Sequence, residues 1–283
     1  MTRETNQGRL AAAPRWIVIC MSAYLFVDLL VLYLWSTRAQ AFSIQGQPDS
    51  TSGLSVIAMA GVGLYLSATV LRGFRPGAPL RPAWMLIALA AAAEAVSGIL
   101  SQILEAGRLA AQIAGGPIRL ALLTAAMSIV LRTLRKFGFW VRPSATDWAV
   151  FGIVCLFALC RFAEGGASDW RSLAGLAILC VLFLEAMLLR QSVLRMGGGP
   201  IAKCWAAFAC GIFLTGFAEI ALWVIPHYAN VLPPAIIGSL SRFPISAVFA
   251  LGPAYQLLAQ RRATEPPVAV VADVATRVPA LAR

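Results

Sequence analysis

One apolar stretch decides the class of fold: residues 83–103, AWMLIALAAAAEAVSGILSQI, in which Glu94 is the single charged residue. About 20 apolar residues in a helix cross the roughly 30 Å of hydrocarbon in a bilayer. Comparable runs lie at 16–36, 54–71, 113–131, 148–163, 172–189, 204–225 and 232–258. The sequence therefore predicts an all-α polytopic membrane protein, built as an eight-transmembrane-helix bundle.

The composition leaves little room for a domain outside the membrane. Of the 283 residues, 60% are hydrophobic and 12% are charged, whereas a soluble domain carries about 25% charged residues. We divide the chain into an N-terminal arm at 1–15, helices 1–4 at 16–131, helices 5–8 at 148–258 and a flexible tail at 259–283. The function is therefore expected in or against the lipid bilayer.

The positive charge is concentrated on one side of the predicted bundle. The N-terminal arm, the connections 72–82, 132–147 and 190–203, and the tail hold 17 Lys and Arg residues against four acidic residues. Cytoplasmic segments carry such an excess, so we expect both termini in the cytoplasm. This bias accounts for the net charge of +11, and no nucleic-acid partner is expected. The strong preference for Arg over Lys is a compositional sign of a bacterium, which predicts the inner (plasma) membrane as the location.

The first span has two interpretations. Its basic flank and the sequence Ala39-Gln40-Ala41 resemble a cleavable secretory signal. Its apolar core at 16–36 is longer than the roughly 7–15 residues of a signal peptide, and Asp28 interrupts it. We therefore expect a retained membrane anchor.

The two halves of the chain resemble each other. Glu94 precedes Arg119 by a spacing close to that between Glu219 and Arg242, and each glutamate follows an alanine. From this similarity we predict a 4+4 parallel internal repeat, with its axis along the membrane normal. Chance similarity between apolar helices is the alternative.

Four charged residues inside the spans form the candidate site. Glu94, Arg119, Glu219 and Arg242 fall at comparable depth, in the half of the bilayer away from the cytoplasm. A charge at the bilayer centre costs roughly 2.5–3.5 kcal/mol on the insertion scale, so each side chain must face protein or water. Polar residues at helical spacing extend the same faces as a second layer: Ser97, Ser101, Gln102, Thr215, His227 and Ser246. We therefore predict a polar crevice among four helices that opens outward.

Two interpretations of this crevice stay open. The Glu–Arg pairs either hold the helices together or bind a ligand, since ionisable residues within a membrane often mark ion and substrate sites. Asp28 in the first span is a further candidate, for a proton or a cation. A hydrogen bond from Asp28 to a neighbouring helix is the structural alternative.

Three functional hypotheses follow. In the first, the crevice binds, and in a transporter also moves, a small polar solute or ion. In the second, the protein is a sensory, assembly or accessory module that acts through another membrane protein. The third, an intramembrane enzyme acting on lipid, is least favoured because the sequence carries no nucleophile elbow, Walker loop or metalloprotease motif. With one histidine, and six cysteines that all lie in apolar spans, we expect neither a cofactor nor a metal.

Overall fold

The residues that the computed structural model describes are mostly helical and include no β-strand. The described backbone covers 12–38, 49–103, 114–165, 170–228 and 234–264, and the described side chains cover 12–27, 55–100, 116–160, 163, 174–221 and 242–263. The α-helices in these ranges are α1 (Ala13–Arg38), α2 (Asp49–Gly73), α3 (Arg81–Ile103), α4 (Arg119–Lys136), α5 (Ala145–Gly165), α6 (Trp170–Arg195), α7 (Gly199–Tyr228) and α8 (Pro234–Thr264). A π-helical turn, Ala114–Ile118, precedes α4.

Several of these helices can cross a membrane. The stretches that are long and apolar enough lie in α2, α3, α6 and α7, and in α4 together with the end of the π-helical turn. The apolar described parts of α1 and α5, Ala13–Val27 and Ala145–Cys160, are shorter. The prediction of an all-helical, multi-pass membrane protein is confirmed at this level. Each of the eight predicted spans overlaps one α-helix, while eight crossings and the orientation of the termini stay predictions.

Six of the helices close into a ring. Around it, α2 packs against α3, α3 against α4, α4 against α6, α6 against α7, α7 against α8, and α8 against α2. Buried side chains from all six belong to the same hydrophobic cluster. The ring therefore encloses the main core of the described chain.

The remaining two helices lie outside the ring, and each packs mainly against one ring helix. α1 packs against α8, where Tyr24 stacks on Phe243 with ring centroids 4.1 Å apart. α5 packs against α6. A two-fold relation between α2–α4 and α6–α8 requires each helix contact in one half to have an equivalent in the other, and the contacts within the ring meet this requirement. The outer helices do not meet it. Because α1 packs on α8, the equivalent helix α5 would have to pack on α4, whereas it packs on α6. The 4+4 repeat therefore stays a prediction.

The basic connections lie together at one end of the bundle, which we call the basic end. Gly73, the last residue of α2, lies against Gln260 of α8. Asp147 at the start of α5 meets Arg190 near the end of α6. Here α4 ends at Lys136, and just beyond it Gly138 is in the left-handed region, at φ 80°, which allows the Phe139 N–H to bond the Leu134 carbonyl.

The helices extend further toward the basic end than the apolar runs predict, and the extension is largest in α6 and α8. α6 continues to Arg195 rather than ending at 189, and α8 continues to Thr264 rather than 258. The Gln260 amide donates to the Val70 carbonyl of α2, which holds the last turns of α8 to the ring. Polar and basic residues can continue a helix beyond the hydrocarbon, so apolar runs alone underestimate its length.

Candidate functional site

Aromatic side chains fill the ring on the side of the basic end. Trp84 of α3 and Trp205 of α7 are fully buried, and their ring centroids lie 5.8 Å apart. Phe208 of α7 packs on both, at 5.9 Å from Trp84 and 5.7 Å from Trp205. We call Trp84, Trp205 and Phe208 the aromatic layer. It leaves little space between α3 and α7 at this level.

A cavity of about 30 Å³ adjoins this layer at Phe208. Its walls come from α2, α3, α4, α7 and α8, and it therefore lies inside the ring. A cavity needs about 10–15 Å³ to hold one water molecule, so this one has room for a water-sized group. Most of the lining is apolar, and the polar side chains on it are Ser67, Glu94, Arg119 and Ser246.

Three of these polar residues form one network. Glu94 Oε1 lies 3.5 Å from Arg119 Nη1, and the Ser246 hydroxyl donates to the same carboxylate oxygen at 2.8 Å. The Glu94 and Arg119 side chains are 16% and 13% exposed, so the pair is largely shielded from solvent. The network joins the consecutive helices α3 and α4 to α8, which is distant from them in sequence.

The local sequence determines where α4 begins and therefore where Arg119 lies. Gly115-Gly116-Pro117 lies in the π-helical turn, where Pro117 cannot donate a backbone hydrogen bond. Arg119 is the first residue of α4 after this turn. Its guanidinium lies over the Phe249 ring, with 5.2 Å from Cζ to the ring centroid. Arg119 is therefore held between Glu94 on one side and Phe249 on the other.

One donor of Arg119 stays unsatisfied. In the described part of the chain, Arg119 Nη2 is buried and has no hydrogen-bond partner. Arg119 also lines the cavity, so a small group with an acceptor lone pair that enters the cavity would lie beside this side chain. The arrangement can therefore bind a small polar group.

The second predicted pair lies nearer the end opposite the basic end. Gly211 of α7 faces Phe249 of α8, and Phe208 faces Gly252, so the two helices run antiparallel. Eight residues along α7 from Gly211 and seven back along α8 from Phe249 bring Glu219 to the level of Arg242. Both side chains are exposed, whereas the network residues are largely shielded. The structure thus gathers Glu94, Arg119 and Ser246, and places Glu219 and Arg242 at a more open level.

The other predicted site residues are placed as follows. Thr215 donates its hydroxyl to the Gly211 carbonyl of its own helix, and Ser97 is half-buried on α3. The side chains of Asp28, Ser101, Gln102 and His227 lie outside the described residues. No cluster of three or more metal-ligating side chains occurs among the residues whose side chains are described.

Sequence reasoning missed two residues, Phe249 beside the network and Glu185 elsewhere in the ring. Phe249 was one of many apolar residues, and only its position seven residues after Arg242 on the same helix face could have pointed to it. Glu185 lies near one end of the predicted span 172–189, a position that gives no reason to select it. With α6 apolar enough to span from Ala174 to Arg195, Glu185 instead lies at mid-span and is buried.

These features define a multi-pass helical membrane protein with a charged network inside its helix ring. No family model matches the chain, and neither a curated protein nor a solved structure shows significant similarity to it.

Proposed function

We propose that the protein binds a small polar solute or ion in the cavity beside Glu94, Arg119 and Ser246 and, as a transporter, moves it across the inner (plasma) membrane. The observation that carries this proposal is the buried Arg119 Nη2, which lacks a partner in the described part of the chain. A buried donor without a partner costs about 1–3 kcal/mol. A ligand with an acceptor atom would recover that free energy.

The charge and size of the site restrict the ligand. Glu94 balances the charge of Arg119, so the site does not demand a strongly charged ligand. The cavity of about 30 Å³ limits the occupant of this conformation to roughly the size of water. These features favour a small group with an acceptor atom, such as a carbonyl oxygen, a carboxylate oxygen or a halide.

The distribution of polar and aromatic residues supports access from one side. Glu219 and Arg242 are exposed toward the end opposite the basic end, whereas the aromatic layer fills the ring on the other side. With the basic end in the cytoplasm, as the positive-inside bias predicts, the cavity faces outward. Transport then requires the aromatic layer to separate in a second conformation.

A second candidate function is an accessory or sensory membrane module that acts through a partner protein. It is favoured by the mutual neutralisation of Glu94 and Arg119 and by the small size of the cavity. In this alternative the ion pair fixes α3 to α4 and binds nothing. The two functions differ in what a charge swap should restore.

Thermal unfolding of the purified full-length protein tests the binding proposal. Its midpoint is measured against rising chloride and formate, with gluconate as the baseline salt at equal ionic strength. A probe that binds the folded state raises the midpoint. We expect such a rise in the natural protein and its loss in Arg119→Gln, which itself costs about 3–5 kcal/mol because Glu94 loses its partner. Arg190→Gln, which removes the ion pair with Asp147 at the basic end, is the matched control and keeps the rise.

The double variant Glu94→Arg, Arg119→Glu separates the two functions. If the pair only fixes the helices, the swap restores stability and no probe changes the midpoint of any variant. If the cavity is a binding site, the natural protein shows a rise in midpoint with the probe and the double variant does not, because the guanidinium donor is no longer at position 119. A rise that persists in Arg119→Gln would contradict the proposed site.

A further inference from the structure

A second carboxyl group lies inside the membrane-spanning part of the ring, away from the cavity. Glu185 occupies the middle of the α6 stretch Ala174–Arg195 and is 8% exposed. Its helix neighbours Leu182, Ala186 and Leu189 belong to the main hydrophobic cluster. The glutamate is therefore in an apolar environment at mid-span.

The two carboxyl oxygens of Glu185 differ in their hydrogen bonding. Oε1 accepts a hydrogen bond from the Ser128 hydroxyl of α4. Oε2 is buried and has no partner in the described part of the chain. An ionised carboxylate spreads its charge over both oxygens and needs donors at each, so half of it would be unsatisfied here.

The charged groups around Glu185 do not replace the missing donor. On α4 the nearest is Arg132, one turn beyond Ser128, and its side chain is exposed. On α5 and α7 the apolar residues that pack in the cluster with this part of α6 include Val154 and Phe213. Asp147 and Arg190 pair with each other at the basic end. Glu185 thus differs from Glu94, whose carboxylate contacts a guanidinium directly.

We infer that Glu185 is a proton-binding site within the bilayer, where the side chain holds a proton as the neutral acid and releases it as the carboxylate. The neutral acid is the less costly form here, since Oε1 can be the carbonyl oxygen that accepts from Ser128, and an uncharged hydroxyl at Oε2 loses less without a partner than an ionised oxygen does. Burial in a low-dielectric environment favours that form. The inference does not depend on the proposed ligand site, but α4 connects the two, because Arg119 and Ser128 lie nine residues or roughly 14 Å apart along it.

Infrared spectroscopy of the reconstituted full-length protein tests this inference. A protonated carboxylic acid has a carbonyl stretch that is separate from the bands of carboxylates and of the peptide backbone. We expect the spectrum at neutral pH to lose one such band in Glu185→Gln. The matched control is Glu94→Gln, in which an ion-paired carboxylate is removed and no protonated band is lost. The Glu185 band should also disappear reversibly as the pH is raised.

Ser128→Ala provides an independent signature that does not require removal of the carboxyl. Without the hydroxyl donor the carbonyl stretch of Glu185 should move to higher wavenumber, because a hydrogen bond to a carbonyl oxygen lowers its frequency. If Glu185→Gln loses no protonated band, Glu185 is ionised and the inference is wrong. A band that persists unchanged at alkaline pH would also overturn it, because a group that never releases its proton is structural.

Discussion

At the scale of single residues, the start of α5 shows how local bonds attach a helix to the ring. The Ser144 hydroxyl accepts the Asp147 N–H at 3.2 Å, and Asp147 Oδ2 accepts the Ser144 N–H at 2.8 Å, a reciprocal arrangement that satisfies helix N-terminal donors. The Gln191 amide of α6 also donates to Asp147 Oδ2, at 2.7 Å. One carboxylate therefore caps α5 and links it to α6.

The Asp147 carboxylate makes the free energy of unfolding depend on pH. Burial raises the pKa of Asp147, but the hydrogen bonds from Ser144 and Gln191 and the charge of Arg190 outweigh it and hold the pKa below 3.8. Its stabilisation is therefore fully present above pH 3.8 and is lost as the pH falls through the lowered pKa. We expect Asp147→Asn to reduce the free energy of unfolding by about 2 kcal/mol at neutral pH.

Thermal unfolding of both proteins across the acidic range measures this effect. The midpoints of the natural protein and Asp147→Asn should converge as the pH falls below 3.8, because protonation then removes from Asp147 the charge that the variant already lacks. A difference that stays constant throughout acidification would show that the ionised form is not what stabilises α5.

At the scale of helices, close packing between α7 and α8 depends on glycine. A Cβ built on Gly252 would lie 2.4 Å from Phe208, a side chain that is itself buried against Trp84 and Trp205. We expect Gly252→Ala to destabilise the protein by about 1–3 kcal/mol, because the aromatic layer must shift to admit the methyl group.

Chemical or thermal unfolding of Gly252→Ala checks this expectation against Gly61→Ala. Gly61 of α2 is the matched control, because a Cβ there meets nothing within 4 Å. The control should be neutral or slightly stabilising, since alanine has the higher helix propensity. Equal losses in both variants would mean that α7 and α8 do not pack at this distance.

Helix packing also limits how much of the fold and of the candidate site the sequence can predict. Apolar runs predicted the helices, because each run must be long enough for the bilayer and its ends are marked by loops. The site was predicted as one crevice shared by Glu94, Arg119, Glu219 and Arg242. The structure joins Glu94 to Arg119, and the Glu219 side chain is exposed. Helix rotation decides this outcome, and rotation depends on contacts such as Gly211 against Phe249, which hydropathy does not encode.

At the scale of the whole molecule, the ring exists only if α8 returns to α2. Nothing in the sequence predicts this closure, since α2 carries no intramembrane charge that could be matched to a partner. The structure makes the closure with small residues, because a Cβ built on Gly63 lies 3.8 Å from the Ala250 Cβ. The cavity depends on it, since Gly63 and Ala250 both belong to its lining.

Disulfide cross-linking tests the closure directly. Cβ atoms joined by a disulfide lie about 3.5–4.5 Å apart, which matches the 3.8 Å at this contact. In a chain whose six native cysteines are replaced, Gly63→Cys with Ala250→Cys should cross-link in membranes under mild oxidation, as detected by mass spectrometry of the linked peptides. Gly61→Cys with Ala250→Cys is the control, because Gly61 points into open space. A cross-link that forms equally in both, or in neither, would mean that α2 and α8 do not close the ring at this register, and the cavity would then lose two of its walls.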